Sequence, residues 1–394
     1  MKKKLQLALN KYQPIPLTLQ GANAQSAKTV IDLDLAALYH HYYLDTYGIQ
    51  PPSPDPAQFE HMRFLTPHDD LRFQGAGVGA STNAKRGKSS EMGQAFCRWF
   101  LYEHVEITYF AHLDGLIDKP SNKFHEFTVK RSAQGDIPDY LCSDKAGSVV
   151  LAEAKGRYTP VGFHTEDFER WRKQFTRIQV LDAKNEAVRV KGHIVATRFA
   201  TESKPRVQTK LFAEDPSTEG REPISGETAR SLSRQIIGSH YGNVLMKIDQ
   251  PHLALAIRSS SRLELQSEIQ VAVWKFAFED QQRYFAGGYY AKYTKWPSVD
   301  LDTWLSMHRR WDPWLSMHRR WDPSRLGIHS GTFVGVELSV FEHLVKVARG
   351  DERLLDYLPE VEPVRELYSG LSMLRDGSVI GPLSMFIPVR FARY

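Results

Sequence analysis

At 394 residues the chain exceeds what one ordinary hydrophobic core organises, so two domains or three are expected. Its 42% hydrophobic and 25% charged residues exclude a disordered or fibrous protein. A formal charge of +5 permits a polyanionic partner without demanding one.

Cys97 and Cys142 are the only cysteines, too few for a cysteine-ligated zinc site. Both lie in apolar surroundings, which predicts two buried thiols in a reducing compartment. The start Met1-Lys2-Lys3-Lys4 imitates the basic end of a secretory signal, but the apolar run Leu5 to Leu9 is short and interrupted by Gln6. No stretch approaches the roughly 18 apolar residues of a membrane span. A cytoplasmic protein with no membrane partner is the expectation.

An N-terminal region, residues 1–74, carries a strand-like run at Thr29–Leu33 and an aromatic-rich helix from Leu35 to about Tyr47. Pro51, Pro52, Pro54 and Pro56 stop that helix, because proline lacks the N–H donor a helix needs. Residues 75–90 read as a Gly/Ser/Lys loop. Ser89 or Ser90 then caps a helix whose Met92, Ala95, Phe96, Trp99 and Phe100 recur at helical spacing. Strands are expected at Ile107–Leu113, Phe124–Val129, Tyr140–Cys142 and Val149–Ala154, then a helix over Glu166–Ala183 and a strand at His193–Thr197. Residues 201–226, polar and rich in Pro, Glu, Ser and Lys, read as a linker or surface loop. The C-terminal region, 227–394, reads as a helix near 227–248, strands near 252–258, 269–276 and 284–293, a helix near 339–348 and a strand near 384–391. Residues 304–313 recur unchanged at 314–323; a duplicate this short suits a loop and carries no functional reading.

The informative stretch is Gly135-Asp136-Ile137-Pro138-Asp139-Tyr140-Leu141-Cys142, a turn, then Val149-Val150-Leu151-Ala152-Glu153-Ala154-Lys155. It reads as a hairpin with Asp139 opening the first strand and Glu153 and Lys155 near the end of the second. Strand side chains alternate, so Glu153 and Lys155 share a face, and an antiparallel partner can set Asp139 beside Glu153. Two carboxylates form a hard oxygen site suited to Mg²⁺ or Mn²⁺, which would lower the pKa of bound water and offset phosphodiester charge. Lys155 would orient or deprotonate the attacking water, or stabilise negative charge in the transition state. The competing reading is an ordinary hairpin with a surface salt bridge, since an E-x-K triplet by itself occurs by chance in most long chains.

Over about residues 85–200 the chain resembles the PD-(D/E)XK, or restriction-endonuclease-like, superfamily. The resemblance implies an α/β fold: a nuclease core at 75–200, with a central mixed β-sheet flanked by helices, between additional N-terminal and C-terminal α+β regions. It implies Mg²⁺- or Mn²⁺-dependent hydrolysis of DNA, with Asp139, Glu153 and the Ala154 carbonyl as metal ligands and Lys155 as the catalytic lysine. Family members often complete the metal site with an acid on the first helix, a position that Glu91 matches; a plain first-turn carboxylate is the alternative. On the later helix Phe168, Trp171, Phe175 and Ile178 make an apolar stripe. Gln174 sits at its edge, where several family branches place a Gln or Lys facing the site. Arg170, Lys173 and Arg177 lie opposite and could track a phosphate backbone or form a solvated face. The resemblance further implies restriction, mobile-element, phage-defence or recombination roles. With no ATPase motif in the chain, any translocating ATPase would be a separate partner protein, and a homodimer is one way to cut both strands. A subunit that keeps the fold and cuts little is the second reading.

Two further patterns do not support other chemistry. Gly75-Ala76-Gly77-Val78-Gly79-Ala80 lacks the helix that a dinucleotide fingerprint needs directly after it. The adjacent pair His40-His41 points in different directions on a helix, which favours packing over metal ligation.

Overall fold

The computed structural model describes residues 2–23, 25–46, 64–117, 127–182, 184–217, 226–264, 267–277, 282–290, 332–350, 352–364 and 370–394. The Pro-rich stretch, the start of the strand expected at Phe124 and the 304–323 duplication lie outside them. In chain order the first elements are β1 (Lys2–Asn10), β2 (Val30–Asp34), α1 (Leu35–Thr46), β3 (Arg72–Phe73), α2 (Thr82–His104), β4 (Ile107–His112), β5 (Thr128–Arg131) and β6 (Tyr140–Asp144). Then come β7 (Val149–Arg157), α3 (Glu166–Gln174), β8 (Ile178–Leu181), β9 (Ala187–Val188), β10 (Lys191–Arg198), β11 (Ala200–Thr201), β12 (Lys210–Glu214) and α4 (Glu227–Lys247). The remainder is α5 (Pro251–Ser259), β13 (Gln270–Phe276), β14 (Tyr284–Tyr290), β15 (Thr332–Glu337), α6 (Leu338–Arg349), β16 (Ser372–Met373), β17 (Ser378–Pro382) and β18 (Phe386–Arg393).

The protein is mixed α/β, and its chain forms two compact units. One comprises Lys2–Asp34 and Phe64–His240, the other Leu35–Arg63 and Tyr241–Tyr394. The first is built on a seven-stranded sheet of order β2-β1-β12-β10-β7-β6-β4. β7–β10 and β1–β12 are parallel and the other pairs antiparallel, so the sheet is mixed.

Helix α2 lies on β7 and β10, and two glycines set how closely. A Cβ on Gly156 would stand 1.8 Å from the Ser89 carbonyl oxygen, and one on Gly93 would stand 2.3 Å from the Gly156 nitrogen. Gly156 therefore points at α2, and strand alternation puts Ala152 and Ala154 on that face with it. Glu153, Lys155 and Arg157 occupy the other face, where the Arg157 guanidinium lies 5.0 Å from the ring centroid of Trp171 on α3. The stripe expected on α2 is buried as spaced, with Phe96 and Phe100 at 0% exposure, each worth roughly 1.5–3 kcal/mol. Cys97 and Cys142 are buried thiols outside any disulfide.

Under α2, His193 of β10 stacks on Tyr12 at 5.7 Å between centroids, with Tyr12 Oη 3.2 Å from His193 Nδ1. Burial, helped by the charge of Lys191, lowers the His193 pKa from 6.5 to about 3. The folded protein keeps this imidazole neutral, whereas the unfolded chain protonates it below its ordinary value. Stability from this site is therefore complete above that value and lost as pH falls toward 3, by about 1.4 kcal/mol per pH unit. Thermal melts of wild type between pH 7 and 5 are expected to show the loss, and His193→Phe should flatten it. An unchanged pH slope in that variant would contradict the assignment.

The second unit carries a six-stranded antiparallel sheet of order β16-β17-β15-β14-β13-β18. Trp274, Phe276, Phe285, Phe333 and Phe386 form its core, and Trp274 Nε1 donates to the Gly287 carbonyl at 3.0 Å. His40 of α1 is buried and bonds to Ser372 Oγ at 3.0 Å, a packing role.

Several expected boundaries are corrected. The 75–90 segment is not all loop: Ser81 Oγ accepts from Ala84 N at 3.2 Å and starts α2 at Thr82, a full two turns before Ser89. The helix expected to reach Ala183 ends at Gln174, because Ile178–Leu181 alternates buried and exposed as strand β8. Residues 201–226 are not simply a linker; Lys210–Glu214 fills the sheet position between β1 and β10. That also places the N-terminal strands in the same unit as the 75–200 core rather than in a region of their own. The strand expected near 252–258 is helix α5, with Pro251 in its first turn and Leu253, Ala254, Ala256 and Ile257 buried while Leu255 is 64% exposed.

Candidate active site

The candidate site is built by the β6–β7 hairpin. Tyr140 pairs with Ala152, so Asp139, one residue before β6, falls opposite Glu153. The carbonyl of Asp139 accepts from Leu113 N at 2.9 Å, extending the ladder by one residue, and its Oδ2 accepts from Ala154 N at 2.8 Å. Arg177 holds the approach to this strand: its Nη1 donates to the Asp136 carbonyl at 2.8 Å, and its guanidinium lies against Gly135, whose φ is +117°. Arg177 is thus a brace for the segment that presents Asp139, not a free cation of a helix face.

Glu153 is fully buried and ion-paired with Lys155 Nζ, whose side chain is 29% exposed. Burial, reinforced by the charge of Asp139, pushes the Glu153 carboxyl well above its usual range despite the opposing pull of Lys155. Burial works against the Lys155 ammonium too, but Glu153, Asp139 and Asp136 outweigh it and raise its pKa. Among the described residues Asp139 and Lys155 are the groups that reach the Glu153 carboxyl, and no further donor serves its two oxygens. A fully buried Glu153 beside a half-buried Asp139 is a costly pair of acids alone and fits a hard cation, which takes one or two protein carboxylates and fills its shell with water. The Ala154 carbonyl lies between these residues on β7, so Asp139, Glu153 and this backbone oxygen are the groups that could hold it.

The structure does not bring Glu91 into this group. Ser89 and Gly93 touch Gly156, and Glu91 projects roughly 180° around α2 from that line. The helix covers the sheet face opposite Glu153, and the Glu91 carboxylate pairs with Lys88 at 3.5 Å. Among the described residues no group of three His, Cys, Asp or Glu side chains converges to hold a metal ion.

Helix α3 is capped by Thr165, whose Oγ1 accepts from Phe168 N at 3.5 Å, and buries Phe168 and Trp171. Gln174 is on the buried side with its Oε1 unbonded, though no hydrogen bond joins it to Glu153 or Lys155. Lys173 is exposed, and Arg170 pairs with Asp167 one turn back. Arg157 pairs with the same Asp167. It was not singled out from the sequence, although the alternation that joins Glu153 to Lys155 continues to it.

The glycines at 75–80 form a braced turn. Val78 N donates to Tyr158 Oη at 3.1 Å, and Gly75 N donates to Glu202 Oε2 at 2.7 Å. Contrary to the expectation, a helix does follow these glycines directly, since α2 begins at Thr82, but the strand before them is the two-residue β3 and the Gly75 and Val78 amides are already bonded. Among the described residues no helix is long and apolar enough to cross a membrane. No family model, no curated protein and no solved structure matches the chain.

Proposed function

We propose that the chain is a Mg²⁺- or Mn²⁺-dependent nuclease of restriction-endonuclease-like fold that hydrolyses DNA phosphodiester bonds. The observation that carries this reading is the half-buried Asp139 set against a fully buried Glu153, with Lys155 beside them on the same strand face. Asp139, Glu153 and the Ala154 carbonyl would hold a divalent cation, which would supply positive charge at the scissile phosphate and lower the pKa of bound water. Lys155 holds the attacking water and offers its ammonium to the negative charge that grows as the bond breaks. Arg177 keeps Asp139 in register, and Gln174 offers an amide from α3. The test is cleavage of linear, circular and single-stranded DNA with Mg²⁺, Mn²⁺ or EDTA, with and without a partner ATPase. Salt-sensitive binding with no cutting under any condition would replace this reading with a non-cleaving assembly subunit.

Metal linkage gives a second readout. Because the Glu153 pKa is raised on folding, its contribution to stability is present below the ordinary carboxylate value and lost as pH rises through the folded value. A cation needs the ionised form, so proton competition falls as pH rises. Mg²⁺ is expected to raise the Tm of wild type more at pH 8 than at pH 6. Glu153→Gln should lose that increment and melt in EDTA at least as high as wild type. Equal Mg²⁺ shifts in both proteins would place the cation elsewhere.

A further inference from the structure

The registers of β7, β10 and β12 align three cations. Arg157 is the partner of Arg198, and Arg198 is the partner of Lys210. Register partners share a face, so the three form a row across adjacent strands, about 4.8 Å apart and spanning about 10 Å. Lys210 lies over the ring of Phe212, 5.3 Å from its centroid, and Arg157 lies over Trp171, which fixes the face as the one carrying α3 and Lys155. Lys155 stands two residues before Arg157, about 6.6 Å along the strand, so the row begins beside the candidate catalytic lysine.

Like charges in direct register repel, and such a row persists where anions complete it. The described anions do not. Glu214 is engaged by Arg172, at 2.6 Å and 2.7 Å, and by Asn10. Asp167 is divided between Arg157 and Arg170, and its carboxyl is lowered chiefly by the hydrogen bond from Arg157. Among the described residues neither Arg198 nor Lys210 has a carboxylate partner, and the Arg198 Nε is buried without a hydrogen bond.

We propose that Arg157, Arg198 and Lys210 form a track for the sugar–phosphate backbone of the DNA substrate, leading from Lys155 across the sheet, with Asp167 screening its first cation until substrate arrives. This rests on the nuclease reading above. It assigns DNA binding to the sheet face and not to the outer side of α3, where Lys173 stands.

The experiment measures anisotropy of a labelled DNA duplex in EDTA across a KCl series, beside cleavage in Mg²⁺. The double variant Arg198→Gln/Lys210→Gln should bind about tenfold or more weakly near 0.1 M salt, with a log–log salt slope shallower by about 1.8. Its KM should rise while kcat at saturating DNA stays within about threefold, as for a group that binds ground and transition states alike. Its Tm should not fall, since like-charge repulsion is relieved. Lys173→Gln should bind within about twofold of wild type, while Asp167→Asn should bind more tightly because two guanidiniums are unmasked. A merely structural Arg157–Asp167 pair would give no such gain. Wild-type binding and cleavage with an unaffected double variant, or an equal loss in Lys173→Gln, would overturn the track and leave the nuclease reading standing. Absence of both binding and cleavage in wild type would remove the nuclease reading, and the track with it.

Discussion

Lys155→Ala is expected to reduce metal-dependent DNA cleavage by about 10²–10³-fold or more, with the loss in kcat. Among the described residues the ammonium is the one cation paired with the buried Glu153, and its side chain is 29% exposed, so truncation opens no core cavity. Without it Glu153 takes up a proton more readily, and the melting temperature should stay near that of wild type. Lys155→Arg keeps charge but brings a planar fork in place of a compact ammonium, and should recover only part of the rate. Asp139→Ala should lose as much activity and also lose stability, because the Ala154 N–H loses its acceptor, at a cost of about 1–3 kcal/mol. Steady-state cleavage beside thermal melts separates the two variants. Wild-type turnover in Lys155→Ala would overturn the assigned chemistry.

The largest effect on stability is expected from Gly156→Ala. Its new methyl would need the place of the Ser89 carbonyl oxygen, 1.8 Å away, with the Gly93 nitrogen at 2.8 Å. Backbone cannot rotate aside as a long side chain can, so α2 must lift from β7 along the line that buries Phe96 and Phe100. Overpacking of this kind costs about 3 kcal/mol or more. In a unit of this size that corresponds to a Tm lower by roughly 6–12 °C. Because Gly156 follows Lys155 directly, cleavage at permissive temperature should fall as well. Gly87→Ala, on the same helix with nothing within 4 Å of the added Cβ, is the control and should melt at or above wild type. A Gly156→Ala protein that melts with the control would show that the crossing tolerates a methyl group.

The hairpin was legible because its information is local. Alternation joins Glu153 to Lys155, and a turn of a few residues brings Asp139 across from Glu153, as the register of Tyr140 with Ala152 requires. The structure does not bring Glu91 beside Glu153, for a reason no one-dimensional pattern contains: α2 lies on the Gly156 face while Glu153 points to the other. Strand β12 was hidden because its place between β1 and β10 depends on partners far away in sequence. Helix α5 was read as a strand because Leu253, Leu255 and Ile257 alternate with small residues, and alternation in a short apolar run cannot separate the two periods. The start of α2 was missed because Ser81 sits before a polar stretch, where an apolar stripe cannot announce a helix.

The pairing of α1 with the second unit has a consequence for synthesis. His40 and its partner Ser372 are 332 positions apart. At ribosomal rates of about 5–20 residues per second, α1 leaves the exit tunnel roughly 15–65 s before Ser372 is made. Through that interval Leu38, Tyr39, Tyr42 and Tyr43, all buried in the finished protein, have no completed unit to enter. A nascent chain bearing so apolar a helix is a natural client for a chaperone, and its yield should respond to translation speed more sharply than its equilibrium stability would suggest.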